Sequence, residues 1–197
     1  SQIKAYPLEF LRFENLKQIS ELPSLQSLPS IKYLSICACT RLDVVKVLAA
    51  FSHFEQLDIS KLLIKDFSCL ESLSQINYLS ANYLSHLNSC SMPEQVSKSL
   101  KGFSLNYATS LKSLEPLSSL KSLEELSLNY VLAPCGALSF LKPLKKLQSL
   151  SIIGLRGDFT FETVFQLPSL KRVNAQKIAL SKQQIARAEE HFDRFIY

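Results

Sequence analysis

Apolar residues recur along this chain in one short pattern: an apolar residue, two unrestricted positions, a second apolar residue, one unrestricted position, and a third. Eight copies are present: Leu8-Leu11-Phe13, Ile31-Leu34-Ile36, Phe54-Leu57-Ile59, Ile76-Leu79-Ala81, Leu100-Phe103-Leu105, Leu123-Leu126-Leu128, Leu147-Leu150-Ile152 and Leu170-Val173-Ala175. Their middle residues fall at 11, 34, 57, 79, 103, 126, 150 and 173, in steps of 22 to 24 residues. A period this regular predicts one structural unit stacked on itself, with a continuous core and no single central one. Such a stack has no built-in catalytic cleft. It offers a long ordered face instead.

Residues 108–128 show how one unit is built. Their apolar positions (Ala108, Leu111, Leu114, Leu117, Leu120, Leu123 and Leu126) are spaced by three throughout. An α-helix advances 100° per residue, so spacings of three carry the apolar stripe around its surface, and Pro116 interrupts any helix as well. The spacing suits short 3₁₀ turns and extended segments. The stretch ends in Glu125-Leu126-Ser127-Leu128-Asn129, whose alternation predicts a strand. Gln56-Leu57-Asp58-Ile59-Ser60 and Ser149-Leu150-Ser151-Ile152 repeat it. Each unit is read as a short strand, a turn and a return segment. Prolines 23, 29, 93, 116, 134, 143 and 168 fall in or beside the returns, as strand pairing requires. Leu42–Phe51 mixes spacings of three and four and can hold one or two α-helical turns.

Eight copies in register resemble the leucine-rich repeat family, whose core motif is L-x-x-L-x-L-x-x-N/C-x-L. The resemblance covers about residues 6–180, and the period is similar to that of the internalin and phosphatase-regulator types. It implies an α/β fold: a right-handed solenoid with an eight-strand parallel sheet on the concave face, and turns with short 3₁₀ segments on the convex face. The whole chain, 1–197, is then a single domain. One feature departs from the family. The Asn or Cys five residues after the middle leucine is replaced by Leu16, Leu62, Leu84, Ala108, Val131, Leu155 and Ile178, and Cys39 alone fits. Apolar packing is expected in that slot, with less regular turns and turn backbone groups seeking other partners.

An open stack needs caps. Ser181-Lys182-Gln183-Gln184 is a capping-box pattern, and Ile185, Ala188, Phe192, Phe195 and Ile196 follow at helical spacing. A capping helix is predicted over about 182–195. No comparable signal precedes Leu8. Either residues 1–7 and local side chains suffice there, or part of a longer parent protein is absent, or the first strand edge is open to another chain, including a second copy.

Composition narrows the function classes. Net charge is +5, with nine basic and nine acidic residues in 1–98 against thirteen and eight in 99–197. This excess is milder than a nucleic-acid footprint, so nucleic acid is not the expected partner. Lys98, Lys121 and Lys145 share a repeat position, Lys101 and Lys171 share another, and Lys142, Lys145 and Lys146 cluster. They read as solvated faces, with anion binding as the alternative. The five cysteines (37, 39, 69, 90 and 135) form no CxxC pair and no zinc pattern, and are read as reduced thiols of a cytoplasmic protein. No signal peptide or membrane span is evident. His53, His86 and His191 fall at different repeat offsets, with His53 expected to be partly buried beside Phe54. Phosphate loops, HExxH and GxSxG are absent. No catalytic residue, metal or cofactor is expected, and the chain is read as a non-enzyme.

The candidate surface is the set of strand positions between the core residues. Its central column is rich in serine: Arg12, Ser35, Asp58, Ser80, Ser104, Ser127, Ser151 and Asn174. Beyond it, Asn82-Tyr83, Asn106-Tyr107 and Asn129-Tyr130 recur in three consecutive units and predict a row of tyrosines along the rim, while Tyr33 and Tyr78 lie in the column before. Rings beside small polar groups suit partner binding, and repeat duplication with simple ring stacking accounts for the same pattern. Asp58, Glu125 and Arg172 are candidate charged anchors. The expected function is recognition of another protein; the leucine-rich repeat resemblance allows an adaptor, a bacterial effector delivered into a host cell, or an inhibitor of the immunity type. A structural unit dimerising through its N-terminal edge, or anion binding on the basic half, are the alternatives.

Overall fold

The computed structural model describes residues 8–22, 31–51, 53–132, 138–157 and 159–197. Residues 1–7, Pro23, Pro29, Pro134 and Cys135, on which some expectations rest, lie outside them. Among the described residues, one parallel sheet runs in chain order through β1 (Phe10–Glu14), β2 (Tyr33–Cys37), β3 (His53–Asp58), β4 (Gln75–Ser80), β5 (Gly102–Ser104), β6 (Glu125–Ser127), β7 (Ser149–Ser151), β8 (Arg172–Asn174) and β9 (Arg194–Ile196). The register is that of the sequence repeat. Leu11, Leu34, Leu57, Leu79, Phe103, Leu126, Leu150 and Val173 pair in one row.

That row continues to Phe195, so the sheet has nine strands where the sequence reading gave eight. Phe192-Phe195-Tyr197 is a ninth copy of the motif, hidden because Phe192 and Phe195 also fit helical spacing. The capping helix α4 is correspondingly shorter than expected, Lys182–His191. Its capping box forms as read: Ser181 Oγ accepts from the Gln184 backbone N–H at 3.2 Å, and Gln184 Oε1 accepts from the Ser181 N–H at 3.0 Å.

Among the described residues, the return segments hold three 3₁₀ turns (Ser68–Leu70, Glu115–Ser119, Ser139–Leu141) and three short helices: α1 (Val44–Leu48), α2 (Glu94–Ser99) and α3 (Glu162–Phe165). The leucines of residues 111–123 are buried at their spacing of three. In seven copies of the motif all three apolar residues are buried; in the first, Leu8 is exposed and Leu11 and Phe13 only half-buried. His53 is exposed, contrary to expectation, because its side of β3 faces away from the core that Phe54 enters.

The turns after the strands are more regular than expected. The residue four after each middle position (Asn15, Ala38, Lys61, Tyr83, Tyr107, Tyr130, Gly154 and Lys177) has φ between 56° and 60°. Each of the first seven donates its N–H to a carbonyl of the next unit, for example Tyr83 to Asn106 at 2.8 Å and Tyr130 to Ile153 at 2.8 Å. These main-chain bonds satisfy the turn without the family's asparagine. The vacated slot is apolar as read, and the Cys39 thiol donates to the Cys37 carbonyl at 3.4 Å.

Candidate recognition surface

Successive strand residues point to opposite faces, so three columns lie on the open side of the sheet, its concave side in this fold. In the column after the central one, the asparagines form a ladder. Asn106 Nδ2 donates to Ser104 Oγ on its own strand at 2.8 Å, while Asn106 Oδ1 accepts from Ser127 Oγ at 2.9 Å and from the Asn129 N–H at 2.7 Å on the next unit. Asn82 and Asn129 repeat these bonds with Ser80 and Ser104, and with Ser127 and Ser151. In the preceding repeat Ser60 holds the ladder position, its Oγ accepting from the Asn82 N–H at 3.0 Å, while Asp58 of the central column accepts from the Ser60 N–H at 2.9 Å and from Ser35 Oγ at 3.3 Å. The family's missing amide ladder thus exists two positions earlier in the repeat. It engages much of the hydrogen-bonding capacity of Asn82, Asn106, Asn129, Ser104 and Ser127, which holds this part of the surface rigid.

Next to the ladder stand the rim tyrosines. Tyr83 and Tyr107 stack at 4.5 Å between ring centroids, and Tyr107 and Tyr130 at 4.8 Å. A tyrosine in the left-handed region is strained by about 1–2 kcal/mol. Each stacked pair returns about 0.5–1.5 kcal/mol. With three strained residues and two stacked pairs, stacking offsets part of the strain. A lysine closes each end: Lys61 Nζ lies 5.7 Å from the Tyr83 centroid, and Lys177 Nζ lies 5.2 Å from that of Tyr130 and donates to its hydroxyl at 2.8 Å. Desolvation, with the neighbouring Tyr83 and Tyr130, raises the Tyr107 phenol above its ordinary value. The hydrogen bond to Tyr130 raises the Lys177 ammonium. The sequence already placed Lys61 and Lys177 at the tyrosines' repeat offset.

On the other side of the central column, Tyr33, Gln56, Tyr78, Glu125 and Ser149 border a depression of about 380 Å³ floored by the central residues Asp58, Ser80, Ser104, Ser127 and Ser151. Phe10 stacks on one face of Tyr33 at 4.5 Å. Tyr78 lies over Gly102: a Cβ there would sit 2.2 Å from the ring. Arg172 is one strand beyond, where it meets Glu125 at 3.5 Å and borders a second depression with Arg194. Seven expected site residues (Tyr33, Asp58, Tyr78, Ser80, Ser104, Glu125 and Ser127) therefore line one depression. Asn82, Asn106 and Asn129 form the ladder beside it, and Tyr83, Tyr107 and Tyr130 the rim. Gln56, Gly102 and Ser149 were not anticipated. A lone glycine inside a strand was the available signal for a close approach.

Among the described residues, no group of three His, Cys, Asp or Glu side chains could hold a metal ion, and no helix is long and apolar enough to cross a membrane. Cys37, Cys39, Cys69 and Cys90 are free and buried, and burial pushes the Cys69 and Cys90 thiols up to about 12. Lys98, Lys121, Lys142, Lys145 and Lys146 face solvent, with Lys98 paired to Glu94 at 2.5 Å.

The sequence matches no protein-family model and no curated protein. Solved structures share the fold. Internalin C2 of Listeria monocytogenes superposes with a TM-score of 0.64 at 19% identity, over 90% of this chain and 75% of that one. An internalin, InlF, of the same organism gives 0.58 at 16% identity, over 88% and 56%. The functional domain of InlJ from Listeria monocytogenes, which includes a cysteine ladder, gives 0.55 at 19% identity, over 82% and 35%. This chain therefore spans little more than half of the InlF structure and about a third of that of InlJ. The shared property is the fold, a leucine-rich repeat solenoid.

Proposed function

We propose that this solenoid is a non-enzymatic recognition module that holds another protein on its concave face. The observation that carries the reading is the depression bordered by Tyr33, Tyr78 and Glu125 on a hydrogen-bonded sheet. Its walls include the half-buried Tyr33 and the exposed Tyr78, and its floor is fixed by main-chain pairing and the asparagine ladder. A partner would meet a surface already ordered, so little side-chain freedom is lost on binding. Aromatic anchors in such a setting carry most of the binding energy. The rim tyrosines extend the same surface, presenting ring edges and hydroxyls because their faces are stacked. Four free thiols among the described residues support a reducing compartment.

The test is affinity capture from a native lysate with the intact chain, a Gln56→Trp variant that fills the depression, and a Tyr83/Tyr107/Tyr130→Ala variant, each confirmed as folded by circular dichroism. Loss of a captured protein with Gln56→Trp supports the depression, and loss with the triple variant extends the site to the rim. Capture unchanged by both overturns the reading. A second reading, self-association through β1, is favoured by the exposure of Leu8 and Phe10. Light scattering at high protein concentration tests it, and a strict monomer overturns it.

A further inference from the structure

Asp58 sits on the floor of the concave depression with both carboxylate oxygens held, one by the Ser60 N–H and one by the Ser35 hydroxyl. Ser35 and Ser60 are buried, so the carboxylate is anchored in place. Among the described residues Asp58 forms no ion pair, although the chain as a whole carries a net charge of +5. Glu125, on the same depression, meets Arg172 only at 3.5 Å, with both side chains about half exposed. Such a pair is solvent-screened and readily exchanged. Tyr33 and Tyr78 lie on the strands either side of Asp58, and the Tyr78 ring reaches over Gly102, on the strand next to that of Glu125. Phe10 covers one face of Tyr33, leaving the other toward the depression, and Tyr78 lies flat over Gly102 and remains 41% exposed.

Aromatic faces beside fixed carboxylates are what a cationic side chain requires. The ring quadrupole attracts the cation, and the carboxylate accepts charge-assisted hydrogen bonds. Arginine fits better than lysine, because a planar guanidinium can stack on a ring while forking to a carboxylate. A neutral or acidic side chain would leave Asp58 uncompensated. Asp58 on β3 and Glu125 on β6 are three strands apart, about 14 Å at about 4.8 Å per strand. An extended peptide rises about 3.3 Å per residue, so side chains about four residues apart span that distance.

We propose that the concave depression binds an extended basic segment of a partner protein, with one arginine or lysine between Tyr33 and Tyr78 at Asp58 and a second, about four residues away, at Glu125. The inference rests on the recognition reading above and specifies the chemistry of its partner.

The probe is the acetylated, amidated peptide Arg-Gly-Ser-Gly-Arg, titrated into the ¹⁵N-labelled protein against the same peptide with both arginines replaced by uncharged citrulline. The arginine peptide should shift the backbone amides of Gln56, Tyr78 and Ser104, and bind at least tenfold more tightly than its citrulline analogue. Asp58→Asn keeps an acceptor oxygen for the Ser60 N–H and turns an amide N–H toward the Ser35 oxygen, which can accept it; it and Glu125→Gln should each weaken the arginine peptide at least fivefold. Equal binding of both peptides at this face overturns the cation preference while leaving a recognition surface. Shifts elsewhere, no binding at this face, or no effect of either variant overturns the proposal. The recognition reading itself falls only if partner capture survives both Gln56→Trp and the triple tyrosine variant.

Discussion

The ring of Tyr130 lies across Gly154, the residue at the same place in the next repeat, and from there its hydroxyl reaches Lys177 one repeat further on. A Cβ on Gly154 would stand 2.9 Å from two ring carbons, and Gly154 has φ +59°. Gly154→Ala should therefore cost about 1–2 kcal/mol, combining left-handed strain with a displaced ring. In a Tyr130→Ala background the same change should cost less, because only the backbone contribution remains. Urea denaturation of the four proteins measures this coupling, and equal costs in both backgrounds would show that ring and glycine are independent.

Ala38 occupies that turn position in the second repeat, with φ 56°. It is small and half-buried, and the residues at the same place in the flanking repeats, Asn15 and Lys61, carry no ring. Ala38→Gly should relieve the left-handed strain and stabilise the fold by about 1 kcal/mol, net of the greater freedom glycine gains when unfolded. Thermal melting should rise by roughly 2–4 °C. A fall would mean that the turn tolerates alanine without strain.

Asn106 joins three groups across two repeats: Ser104 Oγ, Ser127 Oγ and the Asn129 N–H. Asn106→Ala should cost roughly 2–3 kcal/mol, because it removes three hydrogen bonds and strands a half-buried backbone donor. Asn174→Ala is the control, since the bond from the Gln176 N–H to Asn174 Oδ1 is long at 3.4 Å and the side chain does not continue the ladder. Equal losses at the two sites in chemical denaturation would count against a cooperative ladder.

Burial pushes Cys69 and Cys90 up to about 12 from an ordinary 9.0, so both remain protonated thiols in the folded protein at pH 8. They should resist alkylation by iodoacetamide until urea unfolds the chain, as mass spectrometry of tryptic peptides will report. The linkage has a definite sign. Below pH 9 the thiols are protonated in both states and stability is unaffected. Between about pH 9 and 12 the unfolded chain releases protons that the folded chain retains, so stability falls as pH rises. Substitution of both cysteines by alanine should flatten that alkaline slope.

The repeat was legible because burial of a sheet face imposes a strict spacing. Leu34, Leu57, Leu79 and Phe103 had to align for one core to run through them, and their spacing stated the register directly. Cys39 and the apolar residues in its column likewise announced a slot with little use for amides. The same column misled about the turns, because regularity there depends on main-chain bonds such as Tyr83 to Asn106, which no side chain records. Phe195 was read as helical because a spacing of three is compatible with either element, and only pairing with Val173 decides for strand.

By itself, the sequence determined the period, the parallel stacking and which residues share a column, because each follows from chain geometry and burial repeated every 22 to 24 residues. The tertiary structure decided what neighbouring columns do to one another. It turned Asn82, Asn106 and Asn129 into a ladder, closed the tyrosine row with Lys61 and Lys177, and laid Tyr78 over Gly102 beside an ion-pair-free Asp58 among the described residues. These relationships join residues a full repeat or more apart, and their energies depend on distances of a few ångströms that only the packed chain defines.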